Sequence, residues 1–334
     1  LIGAGLKVLL AHYMAYRLLV VGHVHQVGFD MGLNFEFMLR VDFLSLMFLS
    51  LSSNLWLVTT LYAVGYLEGS PNRSRFFGFF SLCVTASTGI AMAGNPLTLF
   101  IFYEFLTLVT YPLVVHRETQ ASLRAGRTYL WYTVFGGSLV FVGVVWLQSL
   151  TGPLDFAQTG VVETVDPGQH FTLGLIFCIL IAGFGVKAAL VPLHGWLPVA
   201  MVAPAPVSAL LHAVAVVKAG AFGIVRTVLD VYGPGYAAEL GLLNPLAAAA
   251  TLTIIYGSLQ AIAQTDLKRR LAYSTVSQVS YITLGTALIA PLSTAGAIVH
   301  LVHQGIMKVT LFFCAGNIAE TLELHDIRDM NGVG

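Results

Sequence analysis

Apolar residues run through this chain in blocks of about twenty, separated by short polar clusters, which is the pattern of a membrane-crossing helix repeated many times. Dividing at those clusters gives ten spans, at about 4–22, 43–67, 76–94, 97–115, 128–149, 171–202, 205–229, 242–263, 271–290 and 293–319. Turn residues agree with the divisions. Asn95-Pro96 offers a cap and a first-turn proline, while Gly152-Pro153, Gly233-Pro234-Gly235 and Asn244-Pro245 mark turns or helix starts. The sixth span holds Pro192 and Pro198, each of which removes a backbone donor, so a broken helix is expected there. The fold class that follows is all-α, a polytopic transmembrane helix bundle with one broken helix.

Composition strengthens this reading and removes others. Of 334 residues, 57% are hydrophobic and 10% charged, and the mean hydropathy is +0.82, outside the range of soluble domains. Sixteen Lys and Arg balance sixteen Asp and Glu, so nothing points to nucleic acid or to an acidic partner. Cys83, Cys178 and Cys314 lie in apolar segments without CxxC spacing, which argues for core packing and against a metal site, an iron–sulfur cluster or a disulfide. Gly3-Ala4-Gly5 lacks the third glycine of a dinucleotide fingerprint, and no cofactor is expected. The chain opens on Leu1 rather than Met, shows no cleavable signal peptide and stops at Gly334 just after a helix, so it reads as an internal piece of a longer protein.

The loops set an orientation. Threaded alternately, one side receives Arg73, Arg75, Arg117, Arg124, Arg127, Lys268, Arg269, Arg270 and Arg328, and the other little beyond Arg40 and Arg226. The positive-inside rule makes the first side cytoplasmic. The loop from Thr151 to His170 carries Asp155, Glu163 and Asp166 without Lys or Arg, as an external loop does. Location in the cell (inner) membrane follows, with lipid as the surrounding partner.

Chemistry is expected where charge sits inside the spans, since an ionisable group near mid-bilayer costs about 3 kcal/mol or more and is kept for a reason. Glu104 lies halfway along its span. It is either held uncharged beside Tyr103 or Thr107 or paired with a buried lysine. Lys187 precedes Pro192 in the broken helix, where free carbonyls and the negative end of a half-helix lie in the membrane. Moving Glu104 toward or away from it changes its proton occupancy; the alternative is a lysine that snorkels to an interface. His212 and Lys218 share a span but point about 120° apart on a regular helix, so a relay through both requires water. His212 reads equally as a satisfied core residue. His300, His303, Gln304 and Lys308 fall within an arc of about 140° over a rise of about 12 Å, one polar face that suits a hydrated proton path or helix–helix hydrogen bonds. The cluster Asp266 to Arg270 needs only the topological explanation, Ser274, Ser277, Gln278 and Tyr281 form a further polar face, and Arg17 has no assigned role.

At these residues the chain resembles the antiporter-like membrane subunits shared by respiratory complex I, the Mrp cation/proton antiporters and the membrane-bound hydrogenases. VDFLSL, YEFLT, GVKAALVPLHGWLPVAMVAPAPVSALLHAVAVVKAG, DLKRRLAYSTVSQVSY and HQGIMKVTLFFCAG carry the resemblance from Asp42 to the last helix. It implies a bundle of about fourteen helices with two inverted repeats, each with a broken helix. On this chain that means N-terminal helices over 1–75, a first repeat over 76–230 with its break near 192–198, and the start of a second over 242–334, whose break and terminal lysine or glutamate lie beyond Gly334. It implies that Glu104 pairs with Lys187, that His212 and Lys218 continue the axis, and that Lys308 with His300 or His303 leads to a second half-channel. Val199 stands where complex I relatives commonly carry an acid, and Lys218 leans the likeness toward the D-type member of the Mrp antiporters. The expected function is proton translocation, with Na+ exchange as one form of it, in a hetero-oligomeric membrane complex. The alternative is a membrane-arm component of a redox-driven NADH-quinone oxidoreductase or hydrogenase. No redox or hydrolytic site is readable in either case.

Overall fold

A computed structural model describes residues 1–32, 35–156, 160, 162 and 167–332; Glu163 and Asp166 of the acidic loop lie outside them. Each of the ten expected spans coincides with a helix or a pair of helical pieces. They are α1 (Ile2–Leu19), α2 (Phe43–Tyr66), α3 (Arg73–Ala91), α4 (Pro96–Val114), α5 (Gln120–Thr151), α6 (His170–Ala188) with the short α7 (Trp196–Val199), α8 (Ala205–Ala209) with α9 (Val216–Arg226), and, beyond the single turn α10 (Pro234–Glu239), α11 (Leu243–Ala263), α12 (Leu267–Ala287) and α13 (Pro291–Leu322). Seven of these segments are apolar and long enough to cross a membrane. α1, α3 and α12 fall outside that set, α12 because Lys268 to Arg270 and six Ser or Thr dilute its apolar face.

Local chemistry sets the helix starts. Asp42 caps α2 by accepting from the Ser45 amide at 2.8 Å, Asn95 caps α4 from Thr98 at 2.7 Å, and Asp266 caps α12 from Arg269 at 2.7 Å. Each satisfies a donor that the first helical turn leaves free, a large gain where water is scarce. Between α1 and α2, β1 (Gln26–Gly32) pairs antiparallel with β2 (Phe35–Arg40), the one sheet among the described residues and the departure from an all-helical chain.

Two interruptions organise the centre. α6 ends when Ala189 turns left-handed (φ 59°), three residues before Pro192, and Pro198 is tolerated inside the first turn of α7. The second was not expected. The span 205–229 is not one regular helix: π-helical turns at Leu210–Val214 and Thr227–Tyr232 flank α9, with Ala215 at φ −120° and ψ −77° between the first turn and α9. This segment is buried along its whole apolar window. Gly220 permits that burial, because a Cβ there would lie 2.6 Å from the Phe184 carbonyl oxygen and 2.8 Å from the Lys187 carbonyl carbon. α9 thus meets the end of α6 backbone to backbone.

The cysteines divide. Cys83 is buried as expected, but Cys178 and Cys314 are exposed, since they fall on the outward faces of α6 and α13.

Candidate functional site

The site begins where α4, α5 and α6 meet. Lys187, in the last turn of α6, has no exposed surface. Its ammonium donates to the Tyr103 carbonyl, sits 3.3 Å from the centre of the Tyr103 ring and lies 3.8 Å from Glu104 Oε1. The Glu104 side chain is 25% exposed and also accepts from the Thr107 hydroxyl at 3.4 Å. Both readings of Glu104 therefore have their partners in place, and the lysine pair is an open one. Gly137 of α5 makes room for the carboxylate, since a Cβ there would overlap it.

A second set of polar groups gathers between α9, α12 and α13. Lys218 is fully buried and donates to the Leu301 carbonyl at 2.6 Å. Lys308 is fully buried and donates to the Ser274 hydroxyl at 2.7 Å and, more weakly, to the Leu271 carbonyl at 3.3 Å. His212 packs its ring on Phe312 with centroids 4.6 Å apart, and neither ring nitrogen has a hydrogen-bond partner among the described residues. Its backbone carbonyl accepts from Gln304 at 3.4 Å. The π turn and Ala215 change the angle that a regular helix imposes between His212 and Lys218, so both reach toward α13.

The polar face of α13 divides rather than turning inward as a whole. Gln304 and Lys308 are buried, His300 is half-buried with Nε2 3.1 Å from the Gln278 carbonyl oxygen, and His303 is exposed. On a 100° wheel His303 and Lys308 are the two edges of the arc, and the buried sector, which includes Leu301, Gly305 and Phe312, is centred toward the Lys308 edge. His303 is left on the outer surface. Arg17 donates to Tyr13 on its own helix at 3.0 Å.

Several charged residues belong with these and were not singled out. Arg226, counted with an outer loop, is 2% exposed. Its guanidinium pairs with Asp42 and Asp230 at 2.7 Å each, donates to Ser45 at 2.9 Å and faces the Phe156 and Phe222 rings. The i,i+4 spacing of Arg226 and Asp230 was the available signal. Lys7 reaches from α1 over Trp56 toward the Val84 carbonyl, 3.4 Å away. Among the described residues no three His, Cys, Asp or Glu side chains converge as a metal-binding group.

Comparison with known proteins gives this arrangement a setting. Residues 93–333 match the family described as NADH:quinone oxidoreductase/Mrp antiporter, transmembrane, and residues 29–77 match NADH-ubiquinone oxidoreductase (complex I), chain 5 N-terminus. Among curated relatives, the A/B component of a probable K(+)/H(+) antiporter of Rhizobium meliloti is 33% identical over 91% of this chain and 30% of its own length. The L component of the NADH-quinone oxidoreductase of Mycobacterium tuberculosis is 33% identical over 91% and 46%. The D component of the Na(+)/H(+) antiporter of Alkalihalophilus pseudofirmus is 30% identical over 90% and 60%. The chain thus spans between about a third and three fifths of the length of these relatives, and their similar identities do not single out the D-type member. A chain in the structure of the Mrp complex from Dietzia superimposes with a TM-score of 0.83 at 26% identity, over 95% of this chain and 35% of that one. With more than half of its residues inside one family match and a multi-pass helical fold to go with it, the chain belongs to the NADH:quinone oxidoreductase/Mrp antiporter transmembrane family.

Proposed function

We propose that this chain is a proton-translocating part of a larger membrane complex, moving protons along Glu104, Lys187, His212, Lys218 and Lys308, with His300 at the far end and exchange for a cation such as Na+ in the antiporter form. One observation carries the reading: Lys187, His212, Lys218 and Lys308 are all without exposed surface, on mutually packed elements. Three of them hold their ammonium groups with only a carbonyl or hydroxyl oxygen or a loosely placed carboxylate. A structural lysine in a membrane is expected to be neutralised by a close, well-satisfied pair. Among the described residues the one carboxylate within ion-pair range of these three lysines is Glu104, 3.8 Å from Lys187. Glu104 acts as the gate, since its distance from the Lys187 ammonium biases where the proton rests. Residues 76–230 form one antiporter-like repeat in this proposal and 242–334 the start of a second.

The test uses the assembled complex in proteoliposomes. Lys187→Ala and Lys308→Ala are expected to abolish proton movement while the complex assembles; wild-type transport in both refutes the axis. A second reading, favoured by the identity to the mycobacterial oxidoreductase component, places the same axis in a redox-driven complex. Proton movement that follows oxidation of an electron donor, and not an imposed Na+ gradient, selects it.

A further inference from the structure

Lys7 is a charge inside the membrane that the proposed axis does not use. Its ammonium lies 3.4 Å from the Val84 carbonyl and 5.4 Å from the centre of the Trp56 ring. At 1.5 Å per residue, Val84 is about 16 Å along α3 from Arg73, and Trp56 is about 15 Å along α2 from Tyr66. The ammonium is therefore near the middle of a hydrocarbon layer about 30 Å thick. It points sideways at α3, whereas a snorkelling lysine points to an interface. Its acceptor is distant and shared, because the Val84 carbonyl already accepts from the Thr88 hydroxyl at 2.8 Å. The helices around it, α1, α2 and α3, contain no Asp or Glu at all, and the one acid of α4, Glu104, faces Lys187. Two cavities flank the group: one of about 320 Å³ between Lys7, Thr88 and Phe102, and one of about 600 Å³ between the start of α1 and Trp56, Phe77 and Phe80. α1 packs on α2, and the cavities leave a seam beside α3 from Phe77 to Met92, about 22 Å long.

We propose that this seam seats a transmembrane helix of a neighbouring subunit, and that the helix brings an Asp or Glu at mid-span to pair with Lys7. Charge complementarity chooses the occupant. An ammonium at that depth is costly alone and is kept where an opposite charge meets it. A phospholipid in the seam would hold its phosphate at the interface, about 15 Å away, and lay methylenes against the ammonium. A helix carries a carboxylate at any depth, and a seam of about 22 Å gives it about four turns of contact. A second copy of this chain does not supply the group, because among the described residues Glu104 is the one carboxylate midway along a span, and it is held inside the bundle by Lys187. The inference rests on the chain working within a larger membrane complex and is independent of the proton axis.

The experiment purifies the whole complex as wild type, Lys7→Arg, Lys7→Met and Lys7→Glu and reads its subunit composition by native mass spectrometry. A separate preparation carries a photo-crosslinking side chain at Leu10, which is exposed one turn beyond Lys7 on the same side of α1. The crosslink is expected to join one membrane subunit that has Asp or Glu midway along a span. Lys7→Arg is expected to keep that subunit, while Lys7→Met and Lys7→Glu retain it about tenfold less or worse, with this chain at wild-type abundance in the membrane. Replacing the partner's acid by lysine is expected to bring the subunit back to Lys7→Glu, a repair that a general folding defect does not allow. Full retention of every subunit in both Lys7→Met and Lys7→Glu overturns the proposal, and so does a swap that restores nothing. A crosslink to lipid alone, with an acidic lipid lost from the Lys7→Met complex, also overturns it. A wild-type chain that purifies without partners overturns the complex itself, and Lys187→Ala, which does not touch the seam, tests the axis separately.

Discussion

Gly137→Ala is the most direct perturbation of the gate, because it alters neither charge. A Cβ at 137 would lie 2.8 Å from Glu104 Oε2 and closer still to Oε1, where ordinary contact begins near 3.4 Å, so the carboxylate must move. The Coulomb term for the pair at 3.8 Å is about 4.4 kcal/mol at an effective dielectric near 20. A carboxylate about 2 Å farther from Lys187, or about 1 Å nearer, changes that term by about 1.5 kcal/mol, roughly tenfold in proton occupancy. Either direction detunes the gate, and proton transport by the reconstituted complex is expected to drop by about that factor. Gly143→Ala is the control, since its Cβ meets Leu180 on the same α5–α6 seam at 2.6 Å and no ionisable group. It is expected to assemble with transport near wild type. An assembled Gly137→Ala complex that transports like wild type, with Gly143→Ala also normal, refutes the claim that the Glu104–Lys187 distance controls the proton.

Arg226→Ala leaves Asp42 and Asp230 facing each other, and thermal unfolding of the purified complex is expected to show a loss of about 3 kcal/mol, the low end for a broken buried pair because the two carboxylates are 31% and 18% exposed. Burial raises the Asp42 carboxyl, but the Arg226 guanidinium and hydrogen bonds from Arg226 and Ser45 outweigh it and hold it below its ordinary value. Its contribution is therefore complete above about pH 4 and is lost as pH falls through the lowered value, so the wild-type stability advantage over Arg226→Ala should shrink on acidification. His303→Ala is expected to leave transport within about twofold, whereas His212→Ala slows it at least tenfold; equal losses in an uptake assay would return His303 to the axis.

What the sequence disclosed follows from which forces are local. All ten spans were readable, because apolar length answers to bilayer thickness, and Asn95-Pro96 announces a helix start through its own hydrogen bond. The closeness of Glu104 and Lys187, far apart along the chain, was legible only from the cost of leaving either alone. The π turns around α9 were not legible: they exist because a fully buried segment adjusts its backbone to neighbours that the local sequence does not name. The equal polar face of α13 misled for a related reason. A wheel gives angles between side chains, while the neighbours decide which part of the wheel is inside, and here that part excluded His303. Arg226 looked like a loop charge because it follows an apolar run, and only the fold brings Asp42 beside it.

The backbone contact at Gly220 has a mechanical consequence. With no side chain between them, α9 and the end of α6 cannot slide without colliding, so the elements that carry Lys187 and Lys218 are clamped into one stiff strut. Sliding of α9 along α6 is thereby closed off as a way to change the separation of Lys187 and Lys218, which leaves rotation of the two long side chains. A wedge as small as a methyl at position 220 would pry the strut apart.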